Sequence, residues 1–92
     1  MNKSNIYKQL EECLLEDMDG ELLLYNPINS TTLHLNGPSA IVWNLCDGEV
    51  TVQQMIDAVR EAYPDQSEQI EADIVSVVKD FVEREFLVLV DL

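Results

Sequence analysis

Residues 33–45, Leu33-His34-Leu35-Asn36-Gly37-Pro38-Ser39-Ala40-Ile41-Val42-Trp43-Asn44-Leu45, hold the change of period that decides the fold. Up to Leu35 the chain alternates, with Leu33 and Leu35 on one face and Thr32 and His34 on the other, as a half-buried strand does. Between Pro38 and Cys46 only Ser39 and Asn44 are polar beside Ala40, Ile41, Val42, Trp43 and Leu45. So narrow a polar face predicts a short, mostly buried helix. Between the two, Asn36 or Gly37 can cap the helix, and Pro38 suits its first turn, where no intrahelical N–H bond is needed. Gly48 looks like the terminator.

Upstream the chain reads as strands. Cys13 to Met18 is partly apolar, Asp19-Gly20 is a strong hairpin turn, and Glu21 to Tyr25 returns with Leu22, Leu23 and Leu24. Asn26-Pro27-Ile28-Asn29-Ser30 makes a second turn, because proline presets its backbone angle and asparagine tolerates left-handed conformations. Thr31-Thr32-Leu33-His34-Leu35 then completes a three-stranded antiparallel meander.

Downstream it reads as helices. Thr51-Val52-Gln53-Gln54 is a capping box, and Val52, Met55, Ile56, Val59, Ala62 and Tyr63 recur at helical spacing until Pro64. A third helix begins near Asp65 to Ser67, either of which can cap, and runs to about Arg84. Its apolar residues Ile70, Ile74, Val75, Val77, Val78, Phe81 and Val82 cover an arc of roughly 160°, wider than the stripe of about 100° that one core contact needs. The surplus can serve a second packing surface or a helix wedged between two elements. The apolar Phe86-Leu87-Val88-Leu89-Val90 can add a short strand. Residues 1–12 are expected as an N-terminal extension and 13–92 as one domain, the fold being α+β: a three-stranded antiparallel sheet followed by three helices.

Composition and charge exclude whole classes of function. The chain has 92 residues, 47% of them hydrophobic, enough for one modest core and too apolar for disorder. No apolar run approaches the roughly 20 residues that span a bilayer. Met1-Asn2-Lys3-Ser4-Asn5 has no apolar continuation of a secretion signal, so the cytoplasm is the expected location. Eighteen acidic against five basic residues give a net charge of −13. That surface repels phosphate backbones and anionic lipid, so neither nucleic acid nor membrane is an expected partner. The charge serves solubility or the attraction of a basic partner.

Candidate chemistry is thin. His34 is the single histidine and, with Cys13 and Cys46, makes a poor zinc site, so no metal or other cofactor is expected. The cysteines read as small buried hydrophobes. Glu16-Asp17-Met18-Asp19-Gly20-Glu21 invites a calcium loop, but counted from Asp17 the sixth position, which demands glycine, holds Leu22. No phosphate-binding glycine loop, nucleophile elbow or nucleophile–base pair is present, so an enzyme is not expected.

The order of these elements resembles the PqqD-like family, also called RiPP recognition elements, whose fold is winged-helix-like. The residues that carry the likeness are Asp19-Gly20-Glu21-Leu22, then Leu35-Asn36-Gly37-Pro38-Ser39-Ala40 leading into Ile41-Val42-Trp43-Asn44-Leu45, then Asp47-Gly48. Thr51-Val52, Asp73-Ile74 and Phe86-Leu87-Val88 complete it, over roughly residues 13 to 90. Glu85 departs from the pattern, since the family often has glycine at the end of the third helix. The resemblance implies a non-catalytic adaptor that binds the leader segment of a ribosomally made precursor peptide. The leader would add a strand beside Thr31, Thr32, Leu33 and His34 and pack over Asp73, Ile74, Val77, Asp80, Phe81 and Arg84. The implied further partner is a maturation enzyme: a leader peptidase and cyclase of lasso peptide biosynthesis, or a radical SAM enzyme. Two other classes share the architecture. A winged-helix DNA binder needs a basic third helix, and here Glu68, Glu71, Asp73, Asp80, Glu83 and Glu85 stand against Lys79 and Arg84. A structural subunit of an enzyme complex needs only an apolar patch.

Overall fold

The computed structural model describes residues 2–90. In chain order its elements are β1 (Ile6–Gln9), β2 (Leu14–Met18), β3 (Glu21–Asn26), β4 (Thr31–Leu35), α1 (Gly37–Leu45), β5 (Asp47–Thr51), α2 (Val52–Ala62), α3 (Ser67–Glu83) and β6 (Leu87–Leu89). The fold is α+β and compatible with a winged-helix-like arrangement, with three helices packed on one another and two antiparallel three-stranded sheets.

The first sheet is the expected meander, in the order β2-β3-β4. Asp19 and Gly20 both have positive φ, 56° and 86°, which is the type I′ turn that Asp-Gly favours, and it pairs Met18 with Glu21. Alternation from that pair places Leu24 opposite Leu15 and Leu33 on the inner face, and Leu24 is fully buried. On β4 the expected faces hold: Leu35 is buried and Leu33 half-buried, while Thr32 and His34 are exposed.

A second sheet is ordered β5-β1-β6; β6 is the short strand expected within Phe86–Val90, whereas β1, β5 and the sheet they make with it have no counterpart in the sequence reading. Its central strand β1 comes from the segment expected as an extension. Tyr7 is buried, and the stretch is pinned beyond its ladder where Gln9 Nε2 donates to the Trp43 carbonyl (2.6 Å) and Leu10 N–H to that of Phe86 (3.0 Å). Strands of four, five and three residues, half of them polar in β1, leave too short an alternation to detect. Gly48 proves to lie inside β5 at φ 90°, where the β1–β5 register shifts, and does not end α1. A bulge needs the same left-handed freedom that a helix terminator does.

The helix caps follow their residues closely. Asn36 caps α1, its side chain accepting from Ser39 N–H at 2.9 Å, and the Thr51–Gln54 capping box of α2 is complete in both directions. Neither Asp65 nor Ser67 caps α3. Its first turn grows out of a short 3-10 turn, Pro64–Gln66, held by backbone bonding from Gln66 N–H to the Tyr63 carbonyl.

The core gathers around three aromatic rings. Trp43 of α1, Phe81 of α3 and Phe86 stand edge-to-face with centroids 5.9, 6.4 and 6.2 Å apart. Such pairs add about 0.5–1.5 kcal/mol each beyond area burial, so this cluster fixes where α3 lies. Val52, Met55, Ile56 and Val59 from α2 and Ile70, Ile74 and Val78 from α3 complete it, all essentially inaccessible.

Candidate functional site

Strand addition needs an open edge, and the alternation of hydrogen bonds shows what β4 offers. In a two-residue hairpin the closing pair, Met18–Glu21, is hydrogen-bonded, and bonded pairs recur every second residue. Glu21, Leu23 and Tyr25 therefore bond toward β2, and Leu22, Leu24 and Asn26 toward β4, where they meet Leu35, Leu33 and Thr31. Thr32 and His34 are left with N–H and C=O pointing away from the sheet, and among the described residues no strand covers that side of β4. These backbone groups form a ready pairing template.

Alongside runs α3, antiparallel to β4. At one end Asn29 Nδ2 donates to the Arg84 carbonyl (3.2 Å), next to the start of β4. At the other, Asn36 and Pro38 line a cleft of about 340 Å³ with Asp73, Ile74, Ser76 and Val77. The eleven steps from Asp73 to Arg84 rise by roughly 17 Å, enough to accompany the whole strand. Ser76 and Val77 also border a broader depression of about 620 Å³ along α3 that includes Ala72, Val75, Lys79, Asp80 and Glu83. The free edge of β4 thus has α3 beside it, tied in at the start of the strand by Asn29 and meeting it in a cleft just past the strand's end.

The helix end is held by Glu85, the departure that the sequence marks there, and by Asn26, which the sequence places only in a turn. Glu85 adopts φ 64°, the left-handed conformation in which a glycine is free of strain. Around it Phe86 N–H donates to the Phe81 carbonyl (2.8 Å) and Glu85 N–H to that of Val82 (3.1 Å), the double closure of a Schellman motif. Asn26, only 2% exposed, donates from Nδ2 to the Glu85 carbonyl at 2.7 Å and accepts from Ile28 N–H at 2.9 Å. One buried amide thereby ties the β3–β4 turn to the end of α3. A buried polar side chain in a turn sequence was the available signal, but its partner lies 59 residues away.

The expected site residues divide. Thr31, Thr32, Leu33 and His34 lie on β4, and Asp73, Val77, Asp80 and Arg84 form one stripe of α3 at spacings of four, three and four. Asp73 and Arg84 are exposed, Val77 and Asp80 half-buried, and Arg84 Nε bonds Asp80 Oδ1 at 2.8 Å. Ile74 and Phe81 are 0% and 1% exposed and belong to the core, so neither is a surface that a peptide could cover. Both sit in the spacing Ile70, Ile74, Val78, Phe81 that faces inward, and Phe81 is fixed there by the aromatic cluster. His34 turns to the outer face of the sheet, its Nε2 3.9 Å from Glu21 Oε2.

Other chemistry is sparse among the described residues. No group of three His, Cys, Asp or Glu residues could hold a metal ion, and no helix is long and apolar enough to cross a membrane. Burial pushes the Cys46 thiol up to about 12, helped by the Asp47 charge, and raises Cys13 less, with Glu12 contributing. Thiols so shifted are poor nucleophiles at neutral pH.

No curated protein matches the chain in sequence. A solved structure, TbiB1 in complex with the TbiA(beta) leader peptide, shares the fold with a TM-score of 0.72 over 87% of this chain and 93% of that one, at 19% identity. Residues 21–87, from the outbound strand of the meander to the first residue of β6, match the model of the family described as coenzyme PQQ synthesis protein D (PqqD). This is most of the chain: it belongs to the PqqD family.

Proposed function

We propose that this chain is a non-catalytic cytoplasmic adaptor that captures the leader segment of a ribosomally made precursor peptide and presents it to a maturation enzyme. The observation that carries the reading is the open edge of β4, with Thr32 and His34 turning their backbone groups away from the sheet and α3 beside it at both ends of the strand. An extended peptide laid there gains up to four main-chain hydrogen bonds, each worth about 0.5–1.5 kcal/mol net. Its side chains alternate between the solvent and α3, where Val77 offers an apolar contact and Asp73 a carboxylate that accepts from a donor or a cation. Family membership and the fold shared with a protein whose structure holds a leader peptide support the same reading.

The enzyme served is a leader peptidase and cyclase, as in lasso peptide biosynthesis, or a radical SAM enzyme. The chain's role in either is to raise the local concentration of substrate. The direct test titrates fluorescent leader peptides, taken from precursors encoded near its gene, against the protein and maps the bound site by amide chemical shifts. Shifts centred on Thr31–Leu35 and on Asp73–Arg84 are expected. Saturable binding that leaves both segments unmoved refutes the site, and no binding to any candidate leader refutes the function.

A further inference from the structure

The sheet has a second open edge, on the side away from β4. Every residue of β2 is exposed, including Leu14 (52%), Leu15 (37%) and Met18 (54%). The same alternation that frees Thr32 and His34 leaves the N–H and C=O of Leu15 and Asp17 pointing outward from β2. Leu14 and Met18 share the outer face with half-buried Leu23 and Tyr25, so the apolar surface continues from the edge onto the sheet. An uncovered edge with exposed leucine and methionine is a liability unless something occupies it.

The charge around that edge says what. Glu11, Glu12, Glu16, Asp17, Asp19 and Glu21 surround β2, and no lysine or arginine occurs from Gln9 to Val59. Within the meander, the His34 imidazole lies on the outer face with its Nε2 3.9 Å from Glu21 Oε2. A second copy of the chain is a poor occupant, since pairing β2 with itself sets these six carboxylates against six more. We propose that β2 is a second docking strand, and that it takes a basic, extended segment of a partner protein other than the leader. That segment pairs with Leu15 and Asp17 and lays apolar side chains on Leu14 and Met18. On the function proposed above, which this inference rests on, the partner is the maturation enzyme. The two edges are separated only by β3, about 10 Å apart across the sheet, so leader and enzyme can be held at once.

The experiment titrates a blocked heptapeptide of alternating lysine and valine into isotopically labelled protein, with and without leader peptide bound. Amide shifts centred on Leu14–Met18 are expected, unaffected by the leader. Leu15→Pro removes an outward donor without removing a bond to β3, and is expected to weaken the heptapeptide roughly tenfold. Should that variant misfold, the charge reversal Glu16→Lys with Glu21→Lys is expected to abolish binding. Shifts centred on β4 and α3, displacement by the leader, or folded variants that bind like the parent overturn the proposal. So does dimerisation in sedimentation that Leu15→Pro abolishes, which would assign the edge to a second copy. Leader binding is read on β4 in the same spectra. Failure of the leader with β2 binding intact counts against the proposed function, and the reverse counts against the second edge alone.

Discussion

Replacing Thr32 by proline separates strand addition from any binding that depends on side chains. Thr32 sits opposite Tyr25 at a position where neither residue bonds the other, so its N–H is not part of the β3–β4 ladder. Proline there removes a donor that only an added strand would use. The residue before a proline is pushed toward extended backbone, which Thr31 already has as the first residue of β4. The fold is therefore expected to survive. One lost hydrogen bond accounts for about 1 kcal/mol, and the ring, standing where the incoming carbonyl must approach, disturbs its neighbour by a similar amount. About 2 kcal/mol corresponds to a roughly 30-fold weaker Kd for the leader peptide. Thr32→Val keeps the backbone and nearly the same shape, and should change affinity less than about twofold.

Two companion variants make the reasoning sharper. His34→Pro acts at the other outward position and should resemble Thr32→Pro. Leu33→Pro removes a bond to β3 and should instead destabilise the hairpin itself, visible as a lower denaturation midpoint before any peptide is added. Fluorescence anisotropy gives the affinities and circular dichroism the fold. A folded Thr32→Pro protein that binds within about twofold of the parent refutes the pairing of leader and β4.

Phe81→Ala opens a cavity inside the aromatic cluster and is expected to lower stability by about 3–5 kcal/mol in urea denaturation, a large share of what a domain this size has. Glu85→Gly relieves a left-handed residue at the end of α3 and should raise stability by up to about 1 kcal/mol in the same assay; an unchanged or lower midpoint would show that φ 64° carries no strain. The buried Cys46 thiol stays neutral in the folded state until about pH 12, whereas the unfolded thiol ionises near 8.5, so its contribution is whole below that pH and declines as pH rises through the window between them. The decline is about 1.4 kcal/mol per pH unit, and the parent should lose more stability there than Cys46→Ala does; parallel pH profiles would contradict it. Leader affinity should weaken as salt rises toward 1 M, where screening shortens to roughly 3 Å, if acidic groups such as Asp73 attract basic leader residues. A flat salt profile would return the charge to solubility alone.

What the sequence disclosed and what it hid follow from the range of the interactions involved. Asp19-Gly20 and the alternation around Leu24 and Leu33 are local, and so are the Asn36 cap and the Thr51–Gln54 box; each stands in the structure as its residues imply. The second sheet is not local. β1 and β6 pair across about eighty residues, and neither is long enough to show a period by itself. On α3 the sequence gives an apolar arc without saying which part meets the core. Phe81 went to the interior because Trp43 and Phe86 were there to receive it, Ile74 shares its inward spacing, and Val77 was left half-buried by the cleft at the end of β4. Asn26 shows the same limit from the polar side. Its turn was legible, and its bond to the Glu85 carbonyl was not.

An open edge normally invites its own kind, and this sheet has two. The meander that supplies them bears no lysine or arginine, so any edge-to-edge pairing between copies brings carboxylates together with nothing to offset them. Proteins usually guard an edge with lysine, proline or a bulge placed in the strand itself. Such guards would also turn away a peptide that must pair there. Net charge discriminates where a local guard cannot, because it repels another copy of the chain and leaves a neutral or basic segment free to approach. The −13 charge and the bare β4 edge are therefore two parts of one arrangement: the backbone groups of Thr32 and His34 stay available because the surrounding charge decides what can reach them.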